Sequence, residues 1–219
     1  WRKLAAEGLG SMLLSVAVIG SGLMAASLSA DRGMVLLANS VATGAMLFVL
    51  IVSLAEISGA HFNPVVTLAA ALRRELRGGE VLGYVLVQIA GACAGAALAH
   101  AMFAGPLVSA YVVPRSGPAQ WLSELVASFG LVLVILLGRR RPTVPLAALV
   151  AAYVVAAYWF TASTSFANPA LTLGRSLTGS FAGIRLVDVP GFVAAQLVGA
   201  GLATAVCEWL DATHRLLRR

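Results

Sequence analysis

Ser58-Gly59-Ala60-His61-Phe62-Asn63-Pro64-Val65 interrupts a long apolar stretch, and Thr164-Ser165-Phe166-Ala167-Asn168-Pro169-Ala170 echoes it later in the chain. Each pairs an asparagine with a proline. Proline has no N–H to give an incoming helix, but its fixed φ suits the first position of a new one. Asparagine just before it is a good N-cap. Both stretches therefore read as helices that begin inside apolar sequence. Bared backbone groups are costly in lipid unless they line a polar cavity. The two starts, 105 residues apart, predict two half-helices meeting end to end around a pore.

The surrounding composition agrees. Of 219 residues, 60% are hydrophobic and 11% charged, which excludes an ordinary soluble domain and fits a polytopic membrane protein. The runs 8–30, 33–55, 81–114, 142–174 and 189–207 carry no charge. A spanning helix takes about 20 apolar residues. Six spans are expected, near 4–28, 34–57, 81–104, 119–138, 144–162 and 190–210. Residues 63–73 and 168–178 are too short to cross; at ~1.5 Å per residue they reach about halfway. The first span is expected to be a true span and not a removed signal peptide.

The net charge of +6 invites a nucleic-acid partner, but its placement argues against one. Eleven of the 15 Lys and Arg fall in 2–3, 73–77, 139–141 and 215–219, all on one side of the alternating spans. Arg32, Arg115, Arg175 and Arg185 fall on the other. That imbalance is the positive-inside pattern, with both termini cytoplasmic. Cys93 and Cys207 lie in apolar spans and read as core residues, not as a disulfide or metal ligands.

The halves repeat. Glu7 opens the first span and Glu124 the fourth, each with a serine four residues on. A carboxylate in the membrane costs at least ~2.5 kcal/mol without a partner; the N–H groups of the broken loops are the expected partners, an interfacial helix end the alternative. Gln88-Ile89-Ala90-Gly91-Ala92 is matched by Gln196-Leu197-Val198-Gly199-Ala200. Three spans and a half-helix per half invert the second half relative to the first. The expected fold is all-α, a single channel domain over 1–219 with repeats 1–110 and 119–219, joined through the loop near Gly105–Ala119. Gly91, Gly95, Gly199 and Gly201 are expected to let helices pack closely.

The Ser-Gly-Ala-His-Phe-Asn-Pro-Val block, the second Asn-Pro-Ala and the inverted repeat resemble the aquaporin and aquaglyceroporin (major intrinsic protein) family over nearly the whole chain. The resemblance implies an hourglass pore in each subunit of a homotetramer. It puts Asn63, Pro64, Val65, Asn168, Pro169 and Ala170 at the pore centre, with the two asparagines as donors to the permeating molecule. Matched positions imply a filter of Thr43, Ala156, Ser165 and Leu171. Water-selective members carry Phe, His, Cys or Thr, and Arg there; glycerol channels keep the Arg and add aromatics. The matched residues here include neither an aromatic nor an Arg, which implies a wide constriction. Arg175, one helical turn beyond Leu171, either leans inward as a charge near the outer mouth, pairs with Asp188 or faces water. Val65 stands for the usual Ala, as pore surface or as packing. Glu56 stands where water channels often carry His, as a vestibule carboxylate or paired with Arg73 or Arg74. His61 is a further vestibule candidate, or is satisfied structurally within its loop.

The expected function is a passive channel for water and small neutral solutes such as glycerol, in a multi-pass protein of the bacterial inner membrane. A wide filter without Arg also resembles aquaporins associated with arsenic resistance, which pass arsenite or methylated arsenicals. A water-selective pore, an ion-leaky pore, an occluded junction-type member and a secondary transporter, which also uses broken helices, are the alternatives. No nucleophile–base pair or metal-ligand spacing suggests an enzyme. No cofactor or metal is expected, and the partners are solutes, lipid and further copies of the chain.

Overall fold

The structure, a computed structural model, describes residues 1–216, with side chains described through Asp211. Arg218, Arg219 and the side chain of Arg215, counted above with the basic flank, lie outside it. Among the described residues the chain is helical: α1 (Arg2–Leu28), α2 (Arg32–Ser58), α3 (Pro64–Leu72), α4 (Gly78–Met102), α5 (Pro118–Gly138), α6 (Thr143–Phe160), α7 (Pro169–Arg175) and α8 (Val189–Leu216). Six are long and apolar enough to cross a membrane, and they coincide with the expected spans.

Local chemistry sets the ends. The Asp31 carboxylate accepts from the N–H groups of Gly33 and Met34 and caps α2. The same helix stops at Gly59, whose φ of 90° is open to glycine without steric cost. Pro64 and Pro169 stand in the first turns of α3 and α7, with Asn63 and Asn168 as their N-caps. At nine and seven residues, these two helices reach only about halfway across the apolar layer. Helix α7 ends at Arg175, short of the expected residue 178. Its last turn tightens there, with the N–H groups of Ser176 and Leu177 donating to Leu173 and Gly174, three residues back.

Helix α1 packs on α4, and α5 packs on α8 in the same way. A Cβ at Gly91 would strike the Gly8 carbonyl, and one at Gly199 the Leu125 carbonyl and the Phe129 N–H. Backbone-to-backbone approach at these two crossings replaces the hydrophobic drive that lipid removes. Gly95 also serves in such a contact, against Met12 and Ser15, whereas Gly201 faces open space. Gly199→Leu is therefore expected to destabilise the protein by about 3 kcal/mol through overpacking. Gly201→Ala is expected to be neutral or slightly stabilising. Thermal unfolding of the detergent-solubilised variants measures both. Around the α3–α7 junction, Leu14, Val18, Leu47, Ile51, Val150, Val154 and Tyr158 form part of the buried core. Facing halves of one sequence thus enclose a central axis.

Candidate permeation pathway

The two broken loops depend on buried carboxylates. Glu7 and Glu124 are both fully buried. Glu7 Oε1 accepts from Ser58 Oγ at 2.7 Å and the His61 N–H at 3.0 Å; Oε2 accepts from the Phe62 N–H at 2.7 Å and Gln88 Nε2 at 2.8 Å. Glu124 accepts from the N–H groups of Phe166 and Ala167, both at 2.8 Å, and from Gln196 Nε2 at 2.6 Å. Gln88 and Gln196 also donate to Thr67 and Thr172, both at 2.9 Å. The expectation that the loop N–H groups are the partners of both carboxylates matches this geometry. Such bonds are needed because the loops are strained. Ala60, Phe62, Ser165 and Ala167 hold φ between 46° and 52°, at about 1 kcal/mol or more each.

The asparagines do two jobs. Asn63 Oδ1 accepts from the Val65 N–H, and Asn168 Oδ1 from those of Ala170 and Leu171, so both cap their helices. Asn63 Nδ2 donates to the Ala167 carbonyl at 2.8 Å, and Asn168 Nδ2 to the Phe62 carbonyl at 2.9 Å. These reciprocal bonds tie the halves together at the centre. A primary amide carries two N–H donors, so each asparagine keeps one for a guest.

A cavity of about 220 Å³ runs past both asparagines. On the side of Arg175 it is lined by Thr43, Tyr158, Ser165, Phe166, Leu171 and Arg175; on the other by Glu75, Arg139 and Leu146. Apolar side chains such as Leu47, Val66, Val150 and Val154 form much of the wall between. A hydroxyl pair, Thr43 Oγ1 and Tyr158 Oη at 3.1 Å, bridges α2 and α6 across one side.

Several expected positions need correction. Ala156 lies on the exposed outer face of α6 and is not among the lining residues. Val154 and Tyr158 line the cavity instead, continuing the stripe Leu146, Val150, Val154, Tyr158. Steps of four keep one helix face, whereas two residues turn about 200° away. The cavity wall beside Thr43 therefore carries an aromatic ring. Thr43, Ser165 and Leu171 do line the cavity. Pro64, Pro169 and Ala170 stand behind the asparagines, outside the lining set. Val65 is buried against Val132, Leu136 and Ala200, so it packs, and its neighbour Val66 faces the cavity. Glu56 is exposed and does not line the cavity. Arg73, offered as its partner, pairs with Glu75 and Asp211. His61 lines the cavity and its Nδ1 lies 3.1 Å from Thr67 Oγ1.

Arg175, placed above with the outer residues, turns inward and is 2% exposed. Its Nε donates to the Ala182 carbonyl, and its guanidinium lies over the Phe166 ring, 3.2 Å from the centroid. It pairs with no carboxylate among the described residues. Asp188 belongs to Arg185, through two bonds of 2.8 Å that raise Arg185 above the usual guanidinium range. Glu75 and Arg139, absent from the expected set, sit at the opposite mouth. There Arg139 lies 3.8 Å from Glu75 and 2.8 Å from Asp211. In the sequence their stretches, 73–77 and 139–141, read only as the basic flank of the spans.

The chain is similar to known proteins. The family model described as major intrinsic protein matches residues 1–143. The chain is 55% identical over 211 residues to the aquaglyceroporin AqpS of Rhizobium meliloti, covering 95% of this chain and 90% of that one. It is 28% identical to aquaporin Z of Bradyrhizobium diazoefficiens, covering 96% and 93%. In fold it resembles the aquaglyceroporin from Plasmodium falciparum, with a TM-score of 0.80 at 19% identity, over 96% of this chain and 98% of that one.

Proposed function

The chain belongs to the major intrinsic protein family, and from that premise we propose that it is a passive channel for water and small neutral solutes such as glycerol. Its cavity is the conduit, with Asn63 and Asn168 as central donors. We assign the filter to Thr43, Tyr158, Ser165, Leu171 and Arg175. One observation carries the solute assignment: the same cavity wall presents hydroxyl and guanidinium donors beside apolar Leu171 and Val154. A small polyol has hydroxyls on one side and C–H groups on the other, and such a wall satisfies both. Among the described residues, Arg175 uses only Nε on the protein, leaving its terminal N–H groups for the guest. Neutral metalloid hydroxides such as arsenous acid, small and rich in O–H groups, fit the same chemistry.

Cations are opposed. The Arg175 charge stands at the filter without a carboxylate partner among the described residues, and the N-terminal ends of α3 and α7 add positive potential at the centre. The basic flank assigns both termini to the cytoplasm, and we place the protein in the inner membrane as a homotetramer.

Stopped-flow light scattering on proteoliposomes, with water, glycerol and arsenous acid against empty vesicles, tests this reading. Thr43→Phe crowds the Tyr158 ring and is expected to suppress glycerol uptake about tenfold, or ~1.4 kcal/mol of barrier, and water uptake less. Tyr158→Ala is expected to raise glycerol uptake severalfold. Fast water with no solute uptake in the wild type would instead identify a water-selective pore closed to polyols by the Thr43–Tyr158 pair.

A further inference from the structure

The segment joining the two halves comes back across the outer mouth and carries Arg115 beneath the loop that follows α7. Arg115 donates from Nε to the Gly183 carbonyl at 2.8 Å, and from its terminal nitrogens to the carbonyls of Phe181 at 3.2 Å and Ser163 at 3.4 Å. Its backbone N–H donates to Asp188 at 2.9 Å. The intervening carbonyl, that of Ala182, takes the Nε of Arg175. Three consecutive carbonyls, 181 to 183, are thus divided between two guanidinium groups. Both groups also address one ring: Phe166 has Arg175 at 3.2 Å and Arg115 at 5.4 Å from its centroid. Tyr111 covers Arg115 at 5.6 Å.

We propose that Arg115 is a positioning residue of the channel: it fixes the 181–183 turn whose Ala182 carbonyl, with the Phe166 ring, aims Arg175 into the cavity. The inference rests on Arg175 being the filter charge, as read above. Arg115 itself does not line the cavity, and its route to selectivity in this proposal is through Arg175. The Arg175 side chain has a single hydrogen bond to the protein among the described residues, and its direction follows that carbonyl and the Phe166 ring beneath it. Without Arg115, the carbonyls on either side lose their donors and turn toward water, and the carbonyl between them loses its fixed place. The rigid planar fork of arginine suits two loops at once. A lysine ammonium is a single point and cannot reproduce it.

The test is the ratio of glycerol to water permeability in proteoliposomes, which cancels differences in the amount of incorporated protein. Arg115→Gln and Arg115→Lys are each made alone and together with Arg175→Leu. Arg115→Gln is expected to shift the ratio about threefold or more, in the direction that Arg175→Leu shifts it, with the lysine variant between. In the Arg175→Leu background neither is expected to shift it further. An unchanged or opposite ratio in Arg115→Gln, while Arg175→Leu moves it, overturns the positioning role and leaves the filter assignment standing. An equal shift in both backgrounds also overturns it, because the effect would then bypass Arg175. No change with Arg175→Leu alone overturns both assignments. Should the glutamine variant not incorporate, the lysine variant carries the same comparison.

Discussion

Glu124→Gln is expected to leave proteoliposomes with water uptake near that of protein-free vesicles and to lower the thermal midpoint of the solubilised protein. The carboxylate is fully buried and accepts from the N–H groups of Phe166 and Ala167 and from the Gln196 amide. Glutamine keeps one acceptor oxygen and turns an NH2 toward one of those donors. At least one donor is then buried without a partner, and a charge-assisted bond is lost. The cost is about 3 kcal/mol. It falls on a loop already holding Ser165 and Ala167 at positive φ, so the strained backbone is the part that yields. Glu7→Gln is the matching change in the first half, since Glu7 collects two loop N–H groups in the same manner. A glutamine variant with wild-type midpoint and water flux would mean that the Asn63 and Asn168 cross-bonds alone hold the loops.

Arg175→Leu is expected to open a cation leak. A unit charge about 6 Å from a permeating cation, at an effective dielectric constant near 20, contributes about 2.8 kcal/mol of repulsion. Removing it corresponds to an increase of up to about 100-fold in potassium flux. Water flux is expected to change far less, because a neutral molecule does not feel that field. Arg175→Lys keeps the charge and is expected to keep the leak small. Potassium flux from vesicles under an imposed potential measures both. A leak equal to wild type in Arg175→Leu would assign cation exclusion to the centre of the pore instead, where α3 and α7 meet.

Much of this fold was legible in local chemistry. Apolar runs of about 20 residues mark spans because the bilayer has a fixed thickness. Asn63-Pro64 and Asn168-Pro169 mark helix starts because capping and the missing N–H act within a few residues. Glu7 and Glu124 stood out because a charge inside the membrane demands a partner, and the repeat showed which loops would supply it. The filter was less legible. Counting back from Asn168 selected Ala156, but a count across a connecting loop does not preserve helical phase. Helix α6 is apolar around its whole circumference. In lipid the outer face is as greasy as the wall of the pore, so no 3.6-residue pattern distinguishes Val154 and Tyr158 from Ala156.

By itself, then, the sequence determined the six spans, the two half-helices, the inverted repeat and the carboxylates that anchor the loops. All of these follow from short-range chemistry and from the length a bilayer imposes. Only the tertiary structure decided that α6 turns Tyr158 toward Thr43, that Val65 packs while Val66 faces the cavity, and that Arg175 points inward. It alone brought Arg115, 60 residues earlier in the chain, to the same ring and the same turn as Arg175. The direction of a side chain depends on the rotation of its helix. In this protein that rotation is set by contact between helices distant in sequence, at close crossings such as Gly91 on Gly8 and Gly199 on Leu125.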